Sequence, residues 1–498
     1  MKTVAKINPE LEYENAKKLI ELASKQALDA DNVNSLDSSV DNLIAAARVL
    51  MEREERRRGK KKIPKANARP KGRQNGETRK ESKKLPSERY PGLELRDFFY
   101  KPEHPPKCPC CSEDMKESGL YDTSEKLEII PQQYYIVRTH RPKFNCSKCY
   151  GAMVNTSSLP SIVPTSNYGD SLIIDVALSK FCDLIPMERY AQIAFRAGLE
   201  DLPAQSLIGL THHLANFLYP VYEKLKIEVQ TSLVLQADET THKMLEGDET
   251  YNWYLWGFFC SHACYFEVHN TRSGDVATNF LRGSAAGYLV SDGYTGYSKA
   301  IKDIKKEFDR DIIEVDCNAH AYRYFEEAGI TWEEEVKPFL KLYGQIYQLE
   351  KARKDGLERL SLYEQRALRT QMLPLFEEIK TECESHKDEA MAGSAHRKAV
   401  NYFLNHYEGL TICTGNIDIP LDNNLAEREL RAPVVGRKTW YGTHSKRGAK
   451  TTAVLFSIIQ SCKLNNVNPR LYFPWVVKRI HEGEEPLTPY QYLTTGTQ

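Results

Sequence analysis

With 498 residues and a mass of 57.1 kDa, the chain is too long for one ordinary domain, and a composition of 41% hydrophobic and 27% charged residues is that of a globular protein with at least one sizeable core. No run of about 18 apolar residues is present for a membrane span, and the N-terminal stretch MKTVAKINPELEYENAKKL lacks the apolar centre of a signal peptide, so a cytoplasmic protein with no membrane partner is expected. The formal net charge of zero conceals an asymmetry: Arg53 to Lys84 hold 15 Lys or Arg against 4 acids, which leaves this stretch at +11 and the remainder at −11.

Residues 10–30 and 35–58 read as helices, forming a helical N-terminal region over 1–58. Leu36, Val40, Leu43, Ala47 and Leu50 follow a coiled-coil spacing for only two heptads, so a small helical hairpin fits as well as a zipper. Residues 59–99 form a basic linker whose Pro, Gly and Asn content argues against a packed core. Its Lys60, Lys61 and Lys62 are candidates for attracting DNA through counterion release, a solvated linker being the other reading.

Eight of the 12 cysteines are scattered, as in a reducing compartment, but four fall into two pairs over 100–152. Cys108 and Cys111, then Cys146 and Cys149, have the two-residue spacing that lets both thiolates of a turn point at one ion, and two such knuckles complete a tetrahedral Zn2+ shell. Cys110 leaves the partner of Cys108 open. The stretch from Glu125 to Cys146 reads as a hairpin between the knuckles, as in a zinc ribbon. A closed shell of four cysteines leaves no place for substrate, so this zinc is expected to fold a binding module and not to catalyse. The neighbouring Arg138, His140, Arg141 and Lys143 suit nucleic acid, or equally a solubilising surface.

Residues 160–230 read as helices, two of them separated by a turn at Gly198 in the outline of a helix-turn-helix, with core packing the alternative. The texture then changes. SLVLQAD, YNWYLWGFF, ACYFEVHN, AAGYLVSD and DIIEVDC are short β-branched and aromatic runs, hence strands, with a helix before the fourth and another before the fifth. Three successive strands followed by alternating helix and strand predict an α/β fold with a mixed sheet. From Ala321 to about Tyr407 the pattern is helical and highly charged. An amphipathic helix, TTAVLFSIIQSCKLNN, precedes a short tail over 476–498.

Asp238 and Asp292 each close an apolar strand run. An acid at a strand terminus commonly caps a turn, but if the first and fourth strands are neighbours, two carboxylates meet and their repulsion calls for a cation between them. A third acid stands in PLDNNLAERELRAPVVGRKTWYG. Asn424 and Glu427 have capping-box spacing, so Glu427 has a purely structural reading as well. Against it stand the costly polar cluster DNN after IDIP, and Arg428, Arg431, Arg437 and Lys438, which would form a positive wall beside the acid.

The blocks ADET (237–240), SDGYTGY (291–297), CNAHAYRYF (317–325), LDNNLAERELR (421–431), GRKTWYG (436–442) and KLNNVNP (463–469), with the paired cysteines, resemble the bacterial transposases of the insertion-sequence-66 family over roughly four fifths of the chain. The resemblance implies an RNase H-like core in two parts, 231–330 and 413–475, around a helical insertion at 331–412, with a DDE triad at Asp238, Asp292 and Glu427 spaced 54 and 135 residues apart. It implies DNA cleavage at transposon ends and strand transfer by a two-metal mechanism using Mg2+ or Mn2+. Asp238 would bridge the ions, with Asp292 and Glu427 on one each. His320 becomes a candidate for touching the scissile phosphate or orienting a water, a core histidine being the alternative. Arg323 matches the same block, and Arg431, four residues after Glu427, shares its helical face. The implied partners are transposon-end and target DNA, further copies of the chain assembled on DNA, and small accessory proteins of the same element, with a nucleoid-associated location in a bacterium. A catalytically inactive DNA-binding regulator and a stand-alone RNase H-like nuclease are the competing functions.

Overall fold

The computed structural model describes residues 85–97, 107, 110, 124–127, 132–144, 154–155, 158–245 and 252–495. The expected N-terminal helices, Lys60, Lys61 and Lys62, and the four cysteines of the expected zinc module lie outside the described residues. Two compact units are distinguished, Lys60–Arg138 and the rest of the chain.

In the first unit, helix α1 (Pro86–Arg89) is fastened by Glu125, whose carboxylate accepts from the Ser87 backbone N–H and hydroxyl, both at 2.8 Å. The described parts of the expected hairpin, 124–127 and 132–142, are irregular, with Tyr135, Ile136 and Val137 exposed. Strand pairing occurs instead in the second unit, where β1 (Lys143–Phe144) lies antiparallel to β2 (Val154–Asn155), flanking Cys146 and Cys149 in sequence.

Four helices follow: α2 (Asp170–Phe181), α3 (Met187–Arg196), α4 (Ala204–Phe217) and α5 (Tyr219–Gln230). The turn expected after α3 is made by Gly198, at φ +85°. The five expected strands all form: β3 (Val234–Lys243), β4 (Asn252–Phe259), β5 (Cys264–His269), β6 (Tyr288–Ser291) and β7 (Ile313–Asp316). They make one mixed sheet in the order β5-β4-β3-β6-β7. Short connections keep β3, β4 and β5 antiparallel, whereas α6 (Asp275–Arg282) and α7 (Thr295–Phe308) carry the chain back so that β6 joins β3, and β7 joins β6, in parallel.

Helix α8 (Asn318–Ala328) leads into α9 (Glu333–Asp355), α10 (Leu362–Thr370), α11 (Leu373–Glu389) and α12 (Ala395–Gly415). These helices share a core with the sheet: Val290 and Val315 join Phe325, Phe339, Tyr343, Phe376 and Phe403, with Phe325 stacked on Phe339 at 4.6 Å. Helix α12 lies against β7, and the approach is close at Gly409, where a Cβ would stand 2.1 Å from Asp316 Oδ2.

A charged cluster is buried among these helices. Arg369, fully buried, donates to Cys413 O at 2.7 Å and Ile419 O at 3.1 Å and pairs with Glu350 at 2.8 Å; Arg353 pairs with the same carboxylate at 2.8 Å. Burial by itself would raise Glu350, but the bonds from Arg353 and the charge of Arg369 hold it below its usual value. The cluster ties α9 and α10 to the segment that leaves α12.

Helices α13 (Asn424–Trp440), α14 (Lys446–Leu464), α15 (Pro469–His481) and α16 (Pro489–Thr494) complete the chain. Two expectations are corrected here. Helix α14 is not amphipathic: every residue from Thr451 to Cys462 is buried, because α4, α5, α16 and β5 pack around it. Its Ser457 and Ser461 hydroxyls accept the Phe266 and Cys264 N–H groups, each at 2.9 Å, so the outer edge of β5 is paired by a helix. The expected tail is instead folded, with Tyr472 and Tyr492 buried at 5.6 Å between ring centroids and the Tyr472 hydroxyl donating to Leu487 O at 2.6 Å. No helix among the described residues is long and apolar enough to cross a membrane.

Removing one member of the buried cluster strands the other charge. Arg369→Ala is expected to cost about 3–5 kcal/mol in urea unfolding, and the paired replacement Glu350→Leu with Arg369→Met distinctly less.

Candidate active site

The registers of β3 locate the first two acids. Strand β3 pairs with β4 as far as Lys243 opposite Asn252, but with β6 only from Val234–Tyr288 to Gln236–Val290. Asp238 is therefore in the middle of its strand and not at its end, contrary to the sequence reading. What ends there is the parallel ladder. Asp238 and Asp292 each lie two residues beyond the last registered pair, Gln236–Val290, Asp292 just past the end of β6, and the charge of Asp292 bears on Asp238.

Each of these aspartates uses one oxygen locally. Asp238 Oδ1 accepts the Glu239 N–H at 2.8 Å, and Asp292 Oδ1 accepts the Tyr294 N–H at 3.0 Å, which is the turn-capping role foreseen for it. Among the described residues, the second oxygen of each makes no hydrogen bond. The turn after Asp292 needs Gly293, whose φ is +80° and whose Cβ position lies 2.8 Å from His406 Cε1. Asp238 is pushed well above the usual aspartate value, first by burial and then by the charges of Glu239, Asp292 and Glu427. Glu239 is itself occupied: its carboxylate is buried, accepts the Tyr297 hydroxyl at 2.7 Å and pairs with Arg272 at 2.6 Å.

Glu427 does not close a capping box. Asn423 is the N-cap of α13, makes no side-chain capping bond, and leaves Asn424 as the first helical residue. The Glu427 carboxylate accepts from Arg323 Nη2 at 3.0 and 3.2 Å, and His320 Nε2 is 3.6 Å away. His320 occupies the first turn of α8. Burial, then the charge of Arg323, holds it below the usual histidine value against the pull of Glu427 and Asp292, and its buried Nδ1 has no partner. Cys317, pushed up to about 12 mainly by burial, completes with His320 and Glu427 a set of three potential ligand atoms within 4.8 Å of one another.

The placement of Glu427 depends on residues to which the sequence reading assigned no role. Asn423, fully buried, donates from Nδ2 to Ala237 O at 2.8 Å and from its backbone N–H to Cys317 Sγ at 3.1 Å. Asn318, also buried, donates to Leu410 O at 2.9 Å and Leu421 O at 3.0 Å. These bonds dock the start of α13 on the residue before Asp238. The polar run DNN was the signal.

The expected positive wall is divided. Arg437 donates to Thr241 Oγ1 at 2.6 Å and so holds α13 against β3. Arg428 pairs with Glu429 at 2.9 Å, and together with Arg431 lines a cleft of about 600 Å³ with Leu184, Val435, Gln460 and Lys463. Glu427 is not part of that lining, and the guanidinium facing it is that of Arg323, not Arg431. Lys438 is exposed in the last turn of α13.

Residues 165–451, which contain all five of Asp238, Asp292, His320, Arg323 and Glu427, match the family described as "Transposase IS66 family", and residues 105–150 match "zinc-finger binding domain of transposase IS66". "Uncharacterized protein y4jD" of Sinorhizobium fredii is 26% identical over 422 residues, covering 80% of this chain and 81% of its own length. "Uncharacterized protein y4hP" of the same organism is 26% identical over 409 residues, covering 78% and 72%.

An aspartate raised by burial and by neighbouring acids binds protons more tightly in the folded chain than in the unfolded one, so its contribution to stability is present below about pH 4 and is lost as pH rises. Asp238→Asn is expected to raise the melting temperature at pH 7 without added divalent ions, and the gain should vanish near pH 4. An aspartate serving only as a cap would give a loss on substitution.

Proposed function

The chain belongs to the IS66 transposase family, and on that premise we propose that it binds the ends of a transposable element, cuts a phosphodiester bond there and joins the freed 3′ hydroxyl to target DNA, with Asp238, Asp292 and Glu427 as its DDE acids. Membership of the family, together with the zinc-finger match, supports a transposase role. The observation that supports the finer reading is the register of β3 against β6, whose last pair lies two residues before each aspartate, with the Glu427 helix docked on the residue before Asp238. The strand order, three antiparallel strands extended by two parallel ones on the side of the first, supports an RNase H-like core.

The donor type of the three acids suits a hard divalent cation, while the ligand atoms that lie within 4.8 Å of one another are those of Glu427, His320 and Cys317, without the two aspartates. The donors are carboxylate oxygens, the second oxygens of Asp238 and Asp292 are unengaged, and the crowding of negative charge that raises Asp238 is what a cation relieves. Asp238, Asp292 and Glu427 would hold Mg2+ or Mn2+, which when bound supplies activation of the attacking oxygen and charge stabilisation at the leaving oxygen. The chain's own contribution is positioning. Arg323 balances Glu427 and presents a guanidinium suited to phosphate oxygens. His320, held below the usual histidine value by burial and with an unpartnered Nδ1, would orient a water or a phosphate oxygen. Arg428, Arg431, Arg437, Lys438 and the linker lysines Lys60, Lys61 and Lys62 supply positive charge for the DNA backbone. Cys108, Cys111, Cys146 and Cys149 hold a structural Zn2+. Bringing two transposon ends together implies an assembly of at least two chains on DNA, with room for accessory proteins of the same element.

The test is Mg2+-dependent cleavage of a duplex carrying the inverted repeats that flank the gene. The unsubstituted protein is expected to cut and to join the product to target DNA, while Asp238→Asn and Glu427→Gln lose cleavage by about 10³-fold or more with DNA affinity retained. Binding with no cleavage by any form would favour an inactive DNA-binding regulator, and cleavage without joint molecules a stand-alone nuclease. Independently, metal analysis of the purified protein should find about one zinc per chain, lost in Cys146→Ser with Cys149→Ser.

A further inference from the structure

Helix α12 carries a feature that the acids, the zinc module and the basic linker leave unused. Arg397, Lys398, Asn401, Tyr402, Asn405 and His406 line a groove of about 430 Å³ along it. The groove abuts the candidate active site. The Tyr402 hydroxyl donates to Asp292 O at 3.1 Å, and His406 Nδ1 lies 3.0 Å from Asp316 Oδ1, on the residue paired with Ser291 immediately before Asp292.

Tyr402 and His406 are thus engaged, but the other polar groups of the groove are largely uncommitted. Among the described residues neither Arg397 nor Lys398 forms an ion pair, and the side chains of Asn401 and Asn405 make no hydrogen bond. Among the described residues the Arg397 guanidinium donates to Ala390 O alone, from Nη1 at 3.1 Å, while its backbone N–H caps on Ser394 Oγ. Helix α12 carries a single acid, Glu408, too far along to neutralise Arg397 and Lys398, whereas an ordinary solvated helix face interleaves both signs. Lys398 Nζ sits 4.6 Å above the Tyr324 ring, which in turn packs on Tyr402 at 4.5 Å, so aromatic rings brace the charge at the groove wall. Lys398, Asn401, Tyr402 and Asn405 share one helical face, and from Lys398 to Asn405 that face runs about 10 Å, roughly the axial rise of three nucleotides of one strand.

We infer that this groove is a DNA-backbone track: α12 grips, through Arg397, Lys398, Asn401 and Asn405, the strand that passes Asp292 on its way through the site. The helical insertion is then part of the substrate-binding surface as well as a spacer before Glu427. The inference rests on the transposase reading and adds to it the path of the strand.

The probe is a fluorescein-labelled duplex carrying the terminal inverted repeat and its flanking base pairs, titrated by anisotropy between about 50 and 200 mM salt. Lys398→Glu with Asn405→Asp changes two exposed positions and is expected to leave the melting temperature unchanged, to weaken binding about tenfold or more, and to lower the salt slope by about one. Arg397→Gln should lower the slope by a similar step. A cysteine-directed photo-cross-linker on Asn405→Cys should label nucleotides close to the cleavage position. Unchanged affinity and slope in the variants, or cross-links spread evenly along the probe, overturn the track while leaving the transposase reading in place. Failure of the unsubstituted protein to bind the probe overturns that reading and the track with it.

Discussion

The parallel ladder between β3 and β6 is the constraint from which the rest of the site follows. Three registered pairs, Val234–Tyr288 to Gln236–Val290, bring Asp238 and Asp292, 54 residues apart in the chain, to the same end of neighbouring strands. A slip by one residue would turn one of the two to the opposite face of the sheet. The register is defended by burial: Leu235, Ala237, Leu289 and Val290 are all fully buried, so a slipped strand would expose apolar surface and bury polar side chains.

The third acid arrives by a longer route, and a set of polar contacts makes that route reproducible. Between β7 and α13 the chain makes a helical excursion of about a hundred residues, and a flexible excursion of that length would leave Glu427 without a defined position. The excursion is instead tied at both ends. Arg369 binds the carbonyls of Cys413 and Ile419, Asn318 binds those of Leu410 and Leu421, and Asn423 binds that of Ala237. Each of these side chains is buried with its donors turned onto backbone acceptors, where a missing partner is expensive.

Electrostatics gives the site its character. Asp238 carries the cost of burial and of three neighbouring acids, whereas Glu239 and Glu427 are compensated, the first by Arg272 and Tyr297 and the second by Arg323. Negative charge is thereby left on Asp238 and Asp292 and balanced on either side. Beyond them α12 presents a run of uncompensated basic and amide groups. An acidic centre beside a basic groove is an arrangement suited to a polyanionic substrate that must approach carboxylates without being repelled along its length.

The sequence by itself determined the five strands of the sheet and the turns beside them. The strands announced themselves because β-branched and aromatic runs separated by turn residues are local signals, and Gly198 and Gly293 mark turns for a reason intrinsic to one residue. Tertiary structure alone decided what depends on neighbours distant in the chain. Asp238 looked terminal because the apolar run stops there, yet β4 extends the strand to Lys243. Glu427 had capping-box spacing, yet Arg323, 104 residues away, takes its carboxylate. Helix α14 looked amphipathic because its serines, threonines and glutamine are polar, and became buried on every side because β5 and the flanking helices supply partners for those groups. Local propensity is written in consecutive residues, whereas the pairing of a buried polar group is settled only when the chain has closed around it.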